Sequence, residues 1–145
     1  MKKPIYMVAL DGSEWSDRAA EWAVKLAKQT GASVKFMTVI SYSGFQFVNA
    51  MEYDYIPEMR KEQEREAKDD ILAPVIARFN DSGVPIVGEY YWGHPVEVIR
   101  EQIKKDKADM FFAGRRGRSR ISDLVLGSVS NSLAHTVGIP IVLVP

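Results

Sequence analysis

Gly114, Gly117, Gly127 and Ser128 are the residues whose types and spacing most directly suggest chemistry. They lie in GRRGRSRISDLVLGS, Gly114 to Ser128, which places three glycines and four arginines in fifteen residues between two apolar, strand-like runs. Gly114 and Gly117 can take positive φ and let backbone N–H groups approach an anion closely. Gly127-Ser128 opens an expected helix, whose first N–H groups at Val129 and Ser130, together with the Ser128 hydroxyl, form a natural seat for phosphate. Arg115, Arg116, Arg118 and Arg120 add positive charge, although not all four side chains can point inward. The competing reading is a surface loop with solvated arginines and an ordinary serine N-cap, and a glycine pattern alone does not choose between the two. Two nucleotide motifs are excluded. No Gly-Lys-Ser/Thr follows a four-residue spacer, and the first apolar run is followed by DGSEWS instead of a G-x-G-x-x-G fingerprint.

The elements that must position these residues can be read from periodicity. Strand-length apolar runs occur at Ile5 to Leu10, Ser33 to Ile40, Val84 to Trp92, Asp109 to Gly114 and Pro140 to Pro145. The first, fourth and last are almost continuously apolar, as strands covered on both faces of a parallel sheet are. Helix-period segments lie between them. In SDRAAEWAVKLAKQTG, Ala19, Ala23, Leu26, Ala27 and Thr30 share a face, with Ser16 as the expected N-cap and Gly31 as the stop. The stretch from Glu58 begins as a charged helix and turns apolar on one face from Ile71, with Pro74 predicting a kink or two abutting helices. PVEVIREQIKKDKAD forms a third helix with proline in its first turn. SVSNSLAHTVG forms a fourth, with Val129, Leu133, Ala134 and Val137 inward and Gly138 ending it. The alternation predicts an α/β fold: one domain over residues 1–145, with a single open five-stranded parallel sheet, Rossmann-like, carrying helices on both faces and joined by right-handed crossovers. The long connection Tyr42 to Pro57 is rich in aromatics, and long loops of this kind serve as lids or interfaces.

Ligands of open parallel sheets bind outside the carboxyl ends of the strands, where strand order reverses. That adds Asp11-Gly12-Ser13, Val39 to Tyr42 and Gly93-His94-Pro95 to the candidates. Asp11 has a structural alternative as an Asx-type turn feeding the first helix. His94 reads as a turn residue and His135 as a surface helix residue, so the two histidines give no metal-ligand set of the usual kind.

Composition narrows the function classes. Lysine plus arginine and aspartate plus glutamate each number 19, so no global field would hold a polyanion. Nucleic-acid binding through GRRGRSR also lacks interleaved aromatics and is not expected. The absence of cysteine excludes disulfides and thiol chemistry and suits a reducing compartment. The apolar start is interrupted at Asp11, and no run approaches the roughly 20 residues a bilayer needs, so neither a signal peptide nor a membrane span is expected and a cytoplasmic location is.

The glycine pattern, glycine, two residues, glycine, nine residues, glycine, then serine, resembles that of the ATP-binding branch of the universal stress proteins. The resemblance extends to VALDGSEWSDRAAEWA, GHPVEVI, ADMFFAGRRG and PIVLVP, and leaves out only the region from Tyr42 to Arg78. It implies a fold of the adenine nucleotide alpha hydrolase-like kind and ATP as ligand, with magnesium carried on the phosphates. By the same resemblance, Ala9 and Val39 would hold adenine against backbone, and Asp11 would meet the ribose or the base edge. Gly114, Arg115, Gly117 and Arg118 would wrap ribose and phosphates, while Gly127, Ser128, Val129 and Ser130 would bind the outer phosphates. It further implies a homodimer through the last strand, which fits an apolar PIVLVP edge in need of a partner. The expected function is a nucleotide-dependent regulatory or stress-response module with at most slow ATP hydrolysis, since no convincing general base lies near the phosphate seat. The alternative is a nucleotide-hydrolysing or adenylate-forming enzyme of the same architecture. That reading would need a serine-glycine-glycine pyrophosphate loop after the first strand, which is absent.

Overall fold

A computed structural model describes residues 2–41, 56–116 and 128–145. In chain order the elements are β1 (Ile5–Ala9), α1 (Glu14–Thr30), β2 (Ser33–Ile40), α2 (Ile56–Arg65), a π-helical segment (Glu66–Leu72), α3 (Ala73–Arg78), β3 (Ile86–Trp92), α4 (Pro95–Asp106), β4 (Met110–Gly114), α5 (Ser128–Thr136) and β5 (Ile141–Val144). The five strands form one sheet in the order β3-β2-β1-β4-β5, and every neighbouring pair is parallel. The predicted α/β architecture is the observed one.

Both faces of the sheet are covered, which explains the continuous apolar strands. Tyr6, Val8, Leu10, Val34, Phe36 and Phe112 face α1 and the π segment, whereas Met7, Met37, Phe111 and Ala113 face α4 and α5. Phe36, Phe111 and Phe112 are fully buried, and each such side chain contributes about 1.5–3 kcal/mol by leaving water. The Tyr6 ring tilts against Phe112, and its hydroxyl shares a 2.9 Å hydrogen bond with that of Thr30. Thr30 itself is exposed, so it joins the inward face of α1 only through its oxygen.

Local differences from the sequence reading have identifiable causes. The N-cap of α1 is Ser13 and not Ser16: the Ser13 hydroxyl accepts from the Ser16 N–H, which adds a turn to the helix. Gly31 stops α1 as expected, with φ of 77°. At Pro74 two helical stretches abut, one of the two outcomes expected, with the π-helical segment Glu66–Leu72 giving way to α3 at Ala73. The preceding turns widen to π register, with the Ala73 N–H reaching back to the Lys68 carbonyl, so that a proline without an N–H is accommodated at the start of α3. On α5, Ser130 and Leu133 are buried, but Ala134 is exposed, because the nine-residue helix meets the sheet along a narrow line. That helix ends at Thr136, before Gly138.

One polar cluster lies inside the apolar framework, between β2, β3 and the end of α4. Lys35 on β2 is buried and ion-paired to Asp106 at the end of α4 and, at 3.5 Å, to Glu89 on β3. The Tyr91 ring lies 5.3 Å from its ammonium, and the Tyr91 hydroxyl donates to Glu89. Burial disfavours the lysine charge, but the Asp106 carboxylate and Tyr91 outweigh it and hold Lys35 above the ordinary lysine range. Lys35 is the buried member of the cluster, its side chain 10% exposed against 28% for Asp106 and 56% for Glu89, so losing Asp106 leaves a buried charge short of its nearer partner, whereas losing the lysine leaves only carboxylates that reach water. Asp106→Ala is therefore expected to cost about 2 kcal/mol and Lys35→Met clearly less. Urea unfolding of both variants checks the order, and a larger loss for Lys35→Met would contradict it.

Candidate functional site

The chain adds β2 and then β3 on one side of β1, returns through α4, and adds β4 and β5 on the other. β1 and β4 are therefore adjacent while their outgoing connections leave for opposite faces, β1 toward α1 and β4 toward α5. A crevice must open at their carboxyl ends. It contains a cavity of about 390 Å³, within the range of small-molecule sites. Its polar rim includes Asp11, Ser16, Arg116 and Ser128, and its apolar wall includes Val39, Ile71, Pro95, Ile99 and Leu133.

Of the residues singled out from the sequence, Ala9, Asp11, Val39, Gly114, Ser128, Val129 and Ser130 all line this cavity. Arg116 lines it and Arg115 does not. Gly117, Arg118 and Gly127 lie outside the described residues, as do Arg120 and residues 42–55 of the long connection. Pro95, a candidate from the turn after β3, lines the cavity too, whereas Ile71, Ile99 and Leu133 were not foreseen as site residues. Their signal in the sequence is only apolar periodicity, which core positions share. His94 is exposed at the start of α4, makes no side-chain cap bond, and is not part of the cavity wall.

The loop after β1 is tightly organised. The Asp11 carboxylate accepts from the Ser13 N–H at 2.9 Å, forming the Asx turn, and Gly12 follows with φ of 83°. The Ser16 hydroxyl donates to the Ser13 carbonyl and accepts from the Asp11 N–H. Asp11 thus shapes the loop and lines the cavity at once.

Val39 presents backbone to the crevice for a reason of register. The β1–β2 ladder ends with Ala9 opposite Met37 and the Leu10 N–H donating to the Met37 carbonyl, so β2 continues past its neighbour. On the other side, the Gly93 N–H donates to the Ile40 carbonyl. Peptide groups alternate sides along a strand, so Val39, like Met37, turns its N–H and carbonyl toward β1, beyond the end of that strand. Such an edge offers one donor and one acceptor to a planar heterocycle.

Gly114 is required for a different reason from the one its sequence context suggests. It is not among the glycines with positive φ. Instead, a Cβ placed there would lie 2.7 Å from the Trp15 Cβ and 2.9 Å from both the Trp15 carbonyl carbon and the Arg116 carbonyl oxygen. Only a hydrogen fits between the end of β4 and the first turn of α1. Ser130 is likewise more structural than expected: its buried hydroxyl donates to the Gly114 carbonyl at 2.8 Å, tying α5 to β4. Any contact from Ser130 to an anion must then come from its backbone N–H. Gly114→Ala should cost about 1–3 kcal/mol through overpacking, and Ser130→Ala about 1–2 kcal/mol through the orphaned carbonyl. Denaturant midpoints measure both, and an unchanged midpoint for Gly114→Ala would show that the close approach is dispensable.

Among the described residues no group of three or more histidines, aspartates or glutamates could hold a metal ion, and no helix is long and apolar enough to cross a membrane. Sheet order and crevice together define a doubly wound α/β domain with a cavity at the reversal of strand order. The profile of the universal stress protein family matches residues 5–145, and the chain belongs to that family. Universal stress protein MJ0531 of Methanocaldococcus jannaschii is 31% identical over 139 residues, covering 95% of this chain and 79% of its own. The structure of universal stress protein UspA from Lactobacillus plantarum superposes with a TM-score of 0.85 at 18% identity, covering 100% of this chain and 99% of the other. The universal stress protein from Archaeoglobus fulgidus in complex with dAMP superposes with a TM-score of 0.68 at 16% identity, covering 99% and 98%.

Proposed function

We propose that this protein binds ATP in the crevice between β1 and β4 and serves as a nucleotide-dependent regulatory module in a stress response. The observation that carries this reading is convergence: Asp11, Gly114, Arg116 and the first turn of α5 meet at one cavity whose apolar wall carries the open backbone edge of Val39. Adenine would lie against Val39 and the wall formed by Ile99 and Leu133, with Ala9 beneath it. Asp11 would reach the ribose or the base edge. The phosphates would extend toward Gly114 and the N–H groups of Ser128, Val129 and Ser130, where a helix start favours negative charge. The spacing of Gly117, Arg118 and Gly127 supports their completing the wrap around those phosphates, with Arg115 a helper at its edge. A nucleotide bound by a structural neighbour of the same family, dAMP, supports the same class of ligand here.

Magnesium would enter on the phosphate oxygens with several waters, in keeping with a site that has few carboxylates. Among the described residues Asp11 is the one carboxylate of the wall and is engaged in the Asx turn, so it is poorly placed to act as a general base, and hydrolysis is slow at most. β5 stands at an edge of the sheet with four apolar residues, which supports a homodimer paired through that strand in the cytoplasm. Titration calorimetry with magnesium and millimolar ATP should show saturable binding, and no binding would overturn the nucleotide reading. Sedimentation should give twice the 16.3 kDa mass of the chain, and a monomeric mass would overturn the dimer.

A further inference from the structure

Trp15, in the first turn of α1, lies between two arginines. The Arg116 guanidinium lies 5.0 Å from its ring centroid and that of Arg18 5.8 Å. Each part of this arrangement is anchored. The Trp15 backbone and Cβ are pressed against Gly114, which leaves no room for the ring to be re-aimed by a shift of the helix start. Arg18 donates from Nε to the Pro145 carbonyl at 2.8 Å and lies 3.8 Å from the Glu14 carboxylate, so it belongs to the α1–β5 seam and not to the cavity. Arg116, by contrast, lines the cavity. The ring face attracts each guanidinium, and on the Arg116 side it does so at the cavity rim.

We propose that Trp15 is a positioning residue that holds the Arg116 guanidinium at the cavity rim, and so weights the site toward phosphate-bearing nucleotides over the unphosphorylated nucleoside. The inference rests on the nucleotide reading above. A free arginine must lose rotamer freedom to meet a phosphate, and one already laid on a fixed ring has lost much of it beforehand. Trp15 itself is not part of the cavity wall, so its effect passes through Arg116.

The test is a double-mutant cycle read by calorimetry with two ligands, ATP and adenosine. Arg116→Ala should weaken ATP binding about tenfold, the scale of one charge-assisted hydrogen bond. Trp15→Ala should weaken it about fivefold, while adenosine affinity changes less than about twofold, near the limit of what a remote contact carries. With Arg116 already removed, Trp15→Ala should cause no further loss of ATP affinity. Trp15→Phe, which keeps a ring and spares the fold, should retain most of it. Equal losses for ATP and adenosine in Trp15→Ala, or losses that multiply in the double variant, would overturn the inference while leaving nucleotide binding intact. Failure of the unmodified protein to bind either ligand would overturn the nucleotide reading, and this inference with it.

Discussion

Strand order reverses across β1, and most of what is distinctive about this protein follows from that one constraint. Successive right-handed crossovers place β2 and β3 on one side of β1, and the return through α4 places β4 and β5 on the other. Two neighbouring strands must then send their chains to opposite faces, and the gap between those departures cannot be filled by either loop. The cavity is a by-product of the winding. Its polar side is lined by residues that end β1 and β4 or begin α5, and its apolar wall is completed by Val39 of β2 and by Ile71, Ile99 and Leu133 from the covering helices.

The same atoms then serve stability and site geometry together. Gly114 lets β4 touch the first turn of α1, and Ser130 ties α5 to the Gly114 carbonyl, so three elements from both faces of the sheet meet at one glycine. The crevice is consequently narrow at its base and held from both sides. The buried Lys35 network links β2, β3 and α4 without entering the cavity, though its Tyr91 stands opposite Val39 in the sheet register.

Much of this was legible in the sequence, because the strongest local signals agree with the fold. Strand-length apolar runs marked all five strands to within a residue or two, and Gly31 marked the end of α1. Among the described residues, seven of the eight named as a site meet at the cavity, Arg115 being the exception. What escaped was set by contacts between distant segments. In DGSEWS two serines lie three residues apart, and hydrogen bonding to the Asp11 turn decides that the first of them caps the helix. Gly114 reads as a residue of unusual φ, yet packing against Trp15 requires it. Lys35 interrupts an apolar strand with no local sign that Asp106, 71 positions away, neutralises it. Trp15 carries no motif at all, and its place between two arginines exists only in three dimensions.

The two edges of the sheet are chemically unlike. β3 carries Glu89 and lies next to the Lys35 ammonium, with a half-exposed Val87 between charges, whereas β5 is Ile141 to Val144 with no charge along it. A sheet with two adhesive edges could grow without limit, each copy adding to the last. A sheet with one adhesive edge could only meet its own like, and the two-fold pairing proposed for β5 would leave charged strands facing outward at both ends. Asymmetry of this kind would confine edge pairing to a closed assembly and keep it from propagating as a filament.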